Sequence, residues 1–234
     1  MASPSDTAMN MKSHCHSGAT YNAGMAFHPD ICIRGSGIVG RTLALLLARE
    51  RLNVGLVASP AIPGSDVRAY SLNGFAKALL QDLRCWPDHK AVTPVHQMQI
   101  SGDQGGRLNF AAREQGVSEL NWMVDVPVLE ALLDQAVQFQ PQIQLMQAPV
   151  PAPLTVVCEG RASQTRGDLG VCFDIAHYDQ HAVATRLVCE HPHEGIARQW
   201  FGWSQAPGLS QPQAEVLALL PLGGEGGHEV ALVW

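Results

Sequence analysis

At 234 residues, with 46% hydrophobic and 15% charged residues, the chain has a globular composition and room for one large or two small domains. A net charge of −6 leaves no basic stripe to neutralise phosphates, which excludes a nucleic-acid binder. No apolar run approaches the roughly eighteen residues of a membrane helix, and the six cysteines form no C-x-x-C pair, which fits free thiols in a reducing compartment.

Residues 1–29 are rich in Ser, Ala, Asn, His and Met without apolar period, and read as a disordered tail or an extension upstream of the true start, since Met9, Met11 and Met25 are alternatives. No charged segment precedes an apolar one here, so no secretory signal is expected. The cluster His14, Cys15, His16 lacks the further ligands a metal site needs, and no metal site is assigned.

Residues 30–58 then read as strand, glycine turn, helix and second strand. Gly35, Gly37 and Gly40 form G-x-G-x-x-G directly after Asp30-Ile31-Cys32-Ile33-Arg34. In such a unit the first glycine allows the tight turn, the second lets backbone approach a pyrophosphate, and the third lets helix pack on strand. The helix is expected over 38–51, with Leu43, Leu46 and Leu47 on its apolar face and Ala44 and Ala48 close to the sheet. Its free N-terminal amides would hold phosphates. Arg34 is out of place in a central parallel strand, and either reaches past the strand end towards phosphate or snorkels to water.

Residues 59–66 read as a Pro/Gly loop, followed by a helix over 73–83 that Asn73 or Ser71 caps. Segments 95–101 and 107–111 flank Gly102-Asp103-Gln104-Gly105-Gly106, a β-hairpin signature. A second helix is expected over 127–138 behind Asp125, with Pro127 in its first turn. Residues 140–154 are Pro/Gln-rich and expected to be irregular, and 154–158 to form a short buried strand. Further strands are expected at 171–175, 182–189, 197–203, 216–221 and 229–234, with no internal repeat.

Several segments, in order, resemble the FAD-dependent aromatic hydroxylases, and within them the ubiquinone-biosynthesis hydroxylase branch. After the glycine unit, residues 66–72 are similar to the D-x-R-x-x-A-L segment, whose arginine, here Arg68, lies by the cofactor. The hairpin and residues 124–129 resemble the V-E-N-x-x-L helix entry. Residues 157–166 are a variant of A-D-G-x-x-S-x-x-R, with Glu159-Gly160 as the acid–glycine pair. Residues 178–184 resemble the Y-x-Q-x-A strand, and 217–222 the strand facing the substrate cavity.

The resemblance implies an α/β fold: a Rossmann-like FAD-binding βαβ domain with an interleaved, strand-rich α+β substrate domain, incomplete at its C-terminal end. Residues 30–90 and 112–168 would form the discontinuous FAD-binding domain, and 91–111 with 169–234 the truncated substrate domain. The implied cofactor is FAD, with NAD(P)H as electron donor. Gly35, Ser36, Gly37, Ile38, Val39, Gly40, Arg68, Glu159 and Gly160 are the implied cofactor-binding residues. The implied reaction places one oxygen atom of O₂ on the ring of a small aromatic or quinone-precursor substrate, and the cofactor carries the difficult chemistry. No catalytic residue is nominated, and His181 and Tyr178 are read as structural residues of a strand. A cytoplasmic location follows, with an apolar prenylated substrate implying contact with the inner-membrane surface or a quinone-synthesis complex. No amphipathic basic helix is present in the sequence to make that contact.

Four departures accompany the resemblance. The second strand of the βαβ unit ends in Ala58 where an acid should bind the ribose. Losing such an acceptor costs about 1.5–3 kcal/mol, or one to two decades in affinity; Asp66 is the nearest substitute. The acid–glycine pair carries Glu159, one methylene longer than aspartate. Residues 140–154 are shorter than the family's β-meander, and the later G-D segment is missing past Trp234, so these residues alone are expected to be inactive. Two alternatives remain open: a non-catalytic, truncated or degenerate paralogue, and a nicotinamide-dependent oxidoreductase.

Overall fold

The computed structural model describes residues 27–58, 66–177, 180–204, 213–224 and 226–234. The tail with its His14-Cys15-His16 cluster and alternative starts, the loop 59–65, and Tyr178 lie outside the described residues.

Four parallel strands form the first sheet in the order β8-β2-β1-β9. They are β1 (Ile31–Arg34), β2 (Val54–Val57), β8 (Ile143–Met146) and β9 (Leu154–Val157). Every residue of β2 is buried, as a parallel strand covered on both faces requires. Helix α1 (Ile38–Arg49) buries Gly40, Ala44, Leu45 and Ala48 against this sheet. It also packs on α3 (Val126–Gln138), where the Arg41 guanidinium meets Asp134 at 3.1 Å. Leu129, Leu133 and Val137 of α3, Ile33 of β1 and Leu56 of β2 share this core.

A three-stranded antiparallel sheet, β3-β7-β4, joins β3 (Ala69–Leu72), β7 (Asn121–Asp125) and β4 (Val92–Val95). A six-stranded sheet follows the order β10-β13-β12-β11-β5-β6. Its members are β5 (Gln97–Gly102), β6 (Arg107–Ala111), β10 (Ala184–Val188), β11 (Ile196–Ser204), β12 (Gln213–Leu222) and β13 (Glu229–Val233). A second core of Val95, Met123, Ala197, Leu222 and Ala231 seats one sheet on the other. Arg186 of β10 adds a polar tie, donating to Asp125 Oδ2 at 2.6 Å and to the Val67 and Arg68 carbonyls at 3.3 Å.

Local sequence explains the helix starts. Asn73 Oδ1 accepts from the Ala76 amide at 3.0 Å and opens α2 (Gly74–Asp82), and Asp125 Oδ1 accepts from Val128 at 3.3 Å with Pro127 in the first turn of α3. The β5–β6 hairpin forms as its glycines predict.

The structure also corrects the sequence reading. The first helix stops at Arg49, because Arg51 adopts φ 62°. Within the segment expected to be irregular, Ile143–Met146 forms β8 on the edge of the parallel sheet, where pairing with β2 supplies an order its Pro/Gln neighbours hide. Strand β9 is an open edge rather than buried, with Leu154 53% exposed. Residues 171–175 form no strand: Val171, Phe173 and Ile175 are exposed, and Phe173 lies 4.5 Å under the Arg166 guanidinium. Alternation alone makes no strand without an edge to pair. His181 is exposed outside any strand. Strands β3 and β4 and the start of β7 carry no prior expectation, being too short to show a period. His96 breaks the expected strand 95–101 between β4 and β5. A short helix, α4 (Gln164–Asp168), follows β9 and starts at Ser163, which accepts from the Arg166 amide.

Candidate functional site: a dinucleotide crevice at the end of β1

Strand β1 runs between β2, reached through α1, and β9, reached only after five strands, β3 to β7, have passed to the other sheets. The strand order therefore reverses at β1, and the carboxyl ends of β1 and β9 form the switch point where open α/β sheets bind their ligands. The glycine turn sits at this point.

Each glycine there answers to a distinct contact. Gly35 adopts φ +109°, and a Cβ on it would lie 2.4 Å from the Cys158 carbonyl oxygen. Its amide donates to the Val57 carbonyl at 3.3 Å, and the Cys158 amide donates to Arg34 O at 2.7 Å, so the turn is pinned to both neighbours. A Cβ on Gly40 would stand 1.9 Å from Gly35 O, which is how closely helix rests on turn. Gly37 differs: nothing lies within 4 Å of a Cβ placed there. The expectation of close packing at Gly40 and open approach at Gly37 matches this geometry; at Gly35 the crossing of β9 adds a constraint beyond the tight turn.

The helix behind this turn has no side-chain cap on Gly37 and no acid in its first turn. Its first backbone bond runs from the Arg41 amide to Gly37 O, leaving the amides of Ile38, Val39 and Gly40 ahead of it. Val39 is 69% exposed, Ile38 half-buried, and Ser36 buried with its own polar contact. Free amides, a bare Cα and an acid-free dipole end fit a pyrophosphate. The adenosine end fits less well: Ala58 is exposed and offers no acceptor where the ribose would lie.

Glu159 meets the glycine turn from the β9 side, its amide 2.9 Å from where a Gly35 Cβ would lie. Glu159 Oε1 accepts from the Thr165 hydroxyl at 2.6 Å, and Oε2 accepts from the Ser163 hydroxyl at 2.7 Å and the Thr165 amide at 3.2 Å. Arg34 Nε lies 3.0 Å from Oε1, an ion pair without hydrogen-bond alignment. The Thr165 hydroxyl first, then Ser163, the Thr165 amide and Arg34, hold this carboxyl below its ordinary value against an opposing push from burial. Arg34 Nε is thus paired with Glu159, just past the end of β9. Gly160 adopts φ +71° with open space around it. Neither Arg34's partner nor the buried Thr165 was legible in the sequence, since residues about 125 positions apart meet only once β9 lies beside β1.

Arg68 belongs to a different network. Asp66 grips it with Oδ2 at 2.6 Å from Nη2 and Oδ1 at 2.8 Å from Nε, and Glu130 stands at 3.6 Å. Asp66 raises the Arg68 guanidinium above its ordinary range, and Arg68 lowers the Asp66 carboxyl. Both Asp66 oxygens are thus engaged with Arg68. No described contact joins Arg68 to the glycine turn.

The geometry defines a class: the chain has the fold of the flavin-dependent monooxygenases. It superposes on p-nitrophenol 4-monooxygenase PnpA from Pseudomonas putida DLL-E4 with a TM-score of 0.65 at 16% identity, covering 88% of this chain and 57% of that one. It matches PqsL, a probable FAD-dependent monooxygenase from Pseudomonas aeruginosa, with a TM-score of 0.65 at 16% identity over 88% and 60% of the two chains. A curated relative, the 3-demethoxyubiquinol 3-hydroxylase of Escherichia coli (strain K12), is 25% identical over 192 residues, 69% of this chain and 49% of its own. The chain thus spans about half the length of that relative. No family model matches it. The resemblance to FAD-dependent aromatic hydroxylases, read first from ordered motifs, holds in sequence and in fold. Among the described residues, no helix is long and apolar enough to cross a membrane.

Proposed function

We propose that this chain is the FAD-binding and substrate-facing part of a monooxygenase that hydroxylates an aromatic ring, with a prenylated phenol of ubiquinone synthesis as substrate and NAD(P)H as electron donor. One observation carries the reading: an uncapped, acid-free helix N-terminus behind an open Gly37, set in a flavin-monooxygenase fold. FAD, when bound, supplies the activation of O₂ that the side chains cannot. The amides of Ile38, Val39 and Gly40 hold the pyrophosphate, and Gly35 and Gly40 keep them in place by close packing. The half-buried Leu217 and Leu219, on one face of β12, supply apolar surface suited to a ring and to excluding water. The curated relative supports the ubiquinone-precursor substrate, and the chemistry of that substrate supports contact with a membrane surface. No nucleic acid is involved in this reading.

The test is direct. Full-length protein titrated with FAD should quench flavin fluorescence saturably and then oxidise NAD(P)H faster when a phenolic quinone precursor is added, with the hydroxylated ring as product. Protein that never binds FAD overturns the reading. A second reading, a non-catalytic relative, is favoured by the exposed Ala58 at the ribose position; FAD binding without turnover of any phenol would select it.

A further inference from the structure

A charged residue ending the central strand of a parallel sheet needs a partner, because desolvating it alone is costly. Arg34 ends β1, is covalently next to Gly35, and pairs with Glu159 at 3.0 Å. Glu159 in turn follows Cys158, whose carbonyl oxygen and carbon lie 2.4 and 2.6 Å from where a Gly35 Cβ would be; the Glu159 amide itself lies at 2.9 Å. The pair therefore grips the phosphate-facing turn from its two sides, one partner on β1 and one on the exit of β9.

Glu159 also has little left to offer a ligand. A carboxylate has about four lone-pair sites; here two hydroxyls and one amide donate to three of them, and the Arg34 guanidinium stands 3.0 Å from Oε1 without hydrogen-bond alignment. A direct contact with a ligand hydroxyl would have to enter at Oε1, beside the Thr165 hydroxyl and the Arg34 guanidinium. The extra methylene over aspartate is what the carboxylate uses to reach across to Arg34 and Thr165 together.

Resting on the FAD reading above, we infer that Arg34 and Glu159 act as one positioning unit: they bridge the crevice between β1 and β9, fix the glycine turn for the pyrophosphate, and do not themselves contact the cofactor.

The experiment is a double-mutant cycle on FAD affinity in the full chain, read by flavin fluorescence, with thermal unfolding of each apo variant alongside. Arg34→Gln and Glu159→Gln are each expected to weaken FAD by about tenfold, and the double variant by no more than either single one. Arg34→Lys, which keeps a cation within reach of the carboxylate, should restore most of the loss, a rescue that a generally loosened fold does not give. If the two effects multiply, or if Glu159→Gln weakens FAD while Arg34→Gln does not, Glu159 is a direct ligand and the inference falls. Should either glutamine variant fail to fold, Thr165→Val removes one hydroxyl from the same carboxylate; the expected result is weaker FAD binding, and unchanged affinity overturns the unit. Wild-type protein that binds no FAD overturns the cofactor reading itself, and the unit's role with it; wild-type binding with multiplicative effects overturns the unit alone.

Discussion

Replacing Gly37 with serine should move stability and cofactor binding in opposite directions. Gly37 holds the N-cap position of α1 at φ −71° and ψ −176°, an extended backbone that any residue adopts, with no atom within 4 Å of a built Cβ. Nothing in the fold resists the side chain. Serine is a better N-cap than glycine by a few tenths of a kcal/mol, because its hydroxyl accepts from a first-turn amide that now has no cap. For a chain of this size that is a Tm rise of roughly 1–2 °C. The same hydroxyl sits where the pyrophosphate must approach and takes one of the amides meant for it. Each charge-assisted hydrogen bond lost is worth about 1.5–3 kcal/mol, so Gly37→Ser should weaken FAD ten- to hundredfold. Differential scanning fluorimetry of the apo protein and a flavin fluorescence titration read the two effects separately. Wild-type FAD affinity in Gly37→Ser would show that this helix end does not hold the phosphates.

Gly40→Ala should do the reverse in the apo protein: its Cβ would come within 1.9 Å of Gly35 O, and overpacking of about 1–3 kcal/mol outweighs the helix propensity gained, lowering Tm. Leu133→Ala empties a fully buried position between α3 and the sheet, for a loss of about 2–5 kcal/mol by urea unfolding. Glu159 titrates lower in the folded chain than its ordinary 4.5, so its contribution is complete above that value and is lost as pH falls through the lowered folded value. Stability followed down through pH 4 should therefore fall less steeply in Glu159→Gln than in wild type, and parallel curves would refute the network.

Much of the fold was legible because its signals are local. The cap at Asn73, the Asp125–Pro127 entry to α3 and the glycine hairpin at 102–106 each specify their structure within four or five residues. What failed was non-local. Residues 143–146 alternate over too few residues, between Pro and Gln neighbours, to stand out, yet become β8 because β2 presents an unpaired edge beside them. Residues 171–175 carry a clean alternation and stay irregular because no edge is offered. Pairing partners, rather than propensity, decided both.

The site divides along the same line. Gly35, Gly37 and Gly40 were legible from spacing, and their different duties follow from which backbone passes nearby: Cys158 at Gly35, Gly35 O at Gly40, nothing at Gly37. Arg34 was visible only as an anomaly, and Glu159 only as a lengthened acid. Neither peculiarity has a cause within its own segment. The parallel pairing of Arg34 with Val157 brings the two departures to one place, where each accounts for the other. A charge at the end of a buried strand would be a defect in a two-strand unit. Beside β9 it is paired, so the oddest residue of the opening motif is bound to the oddest residue of the one that follows it.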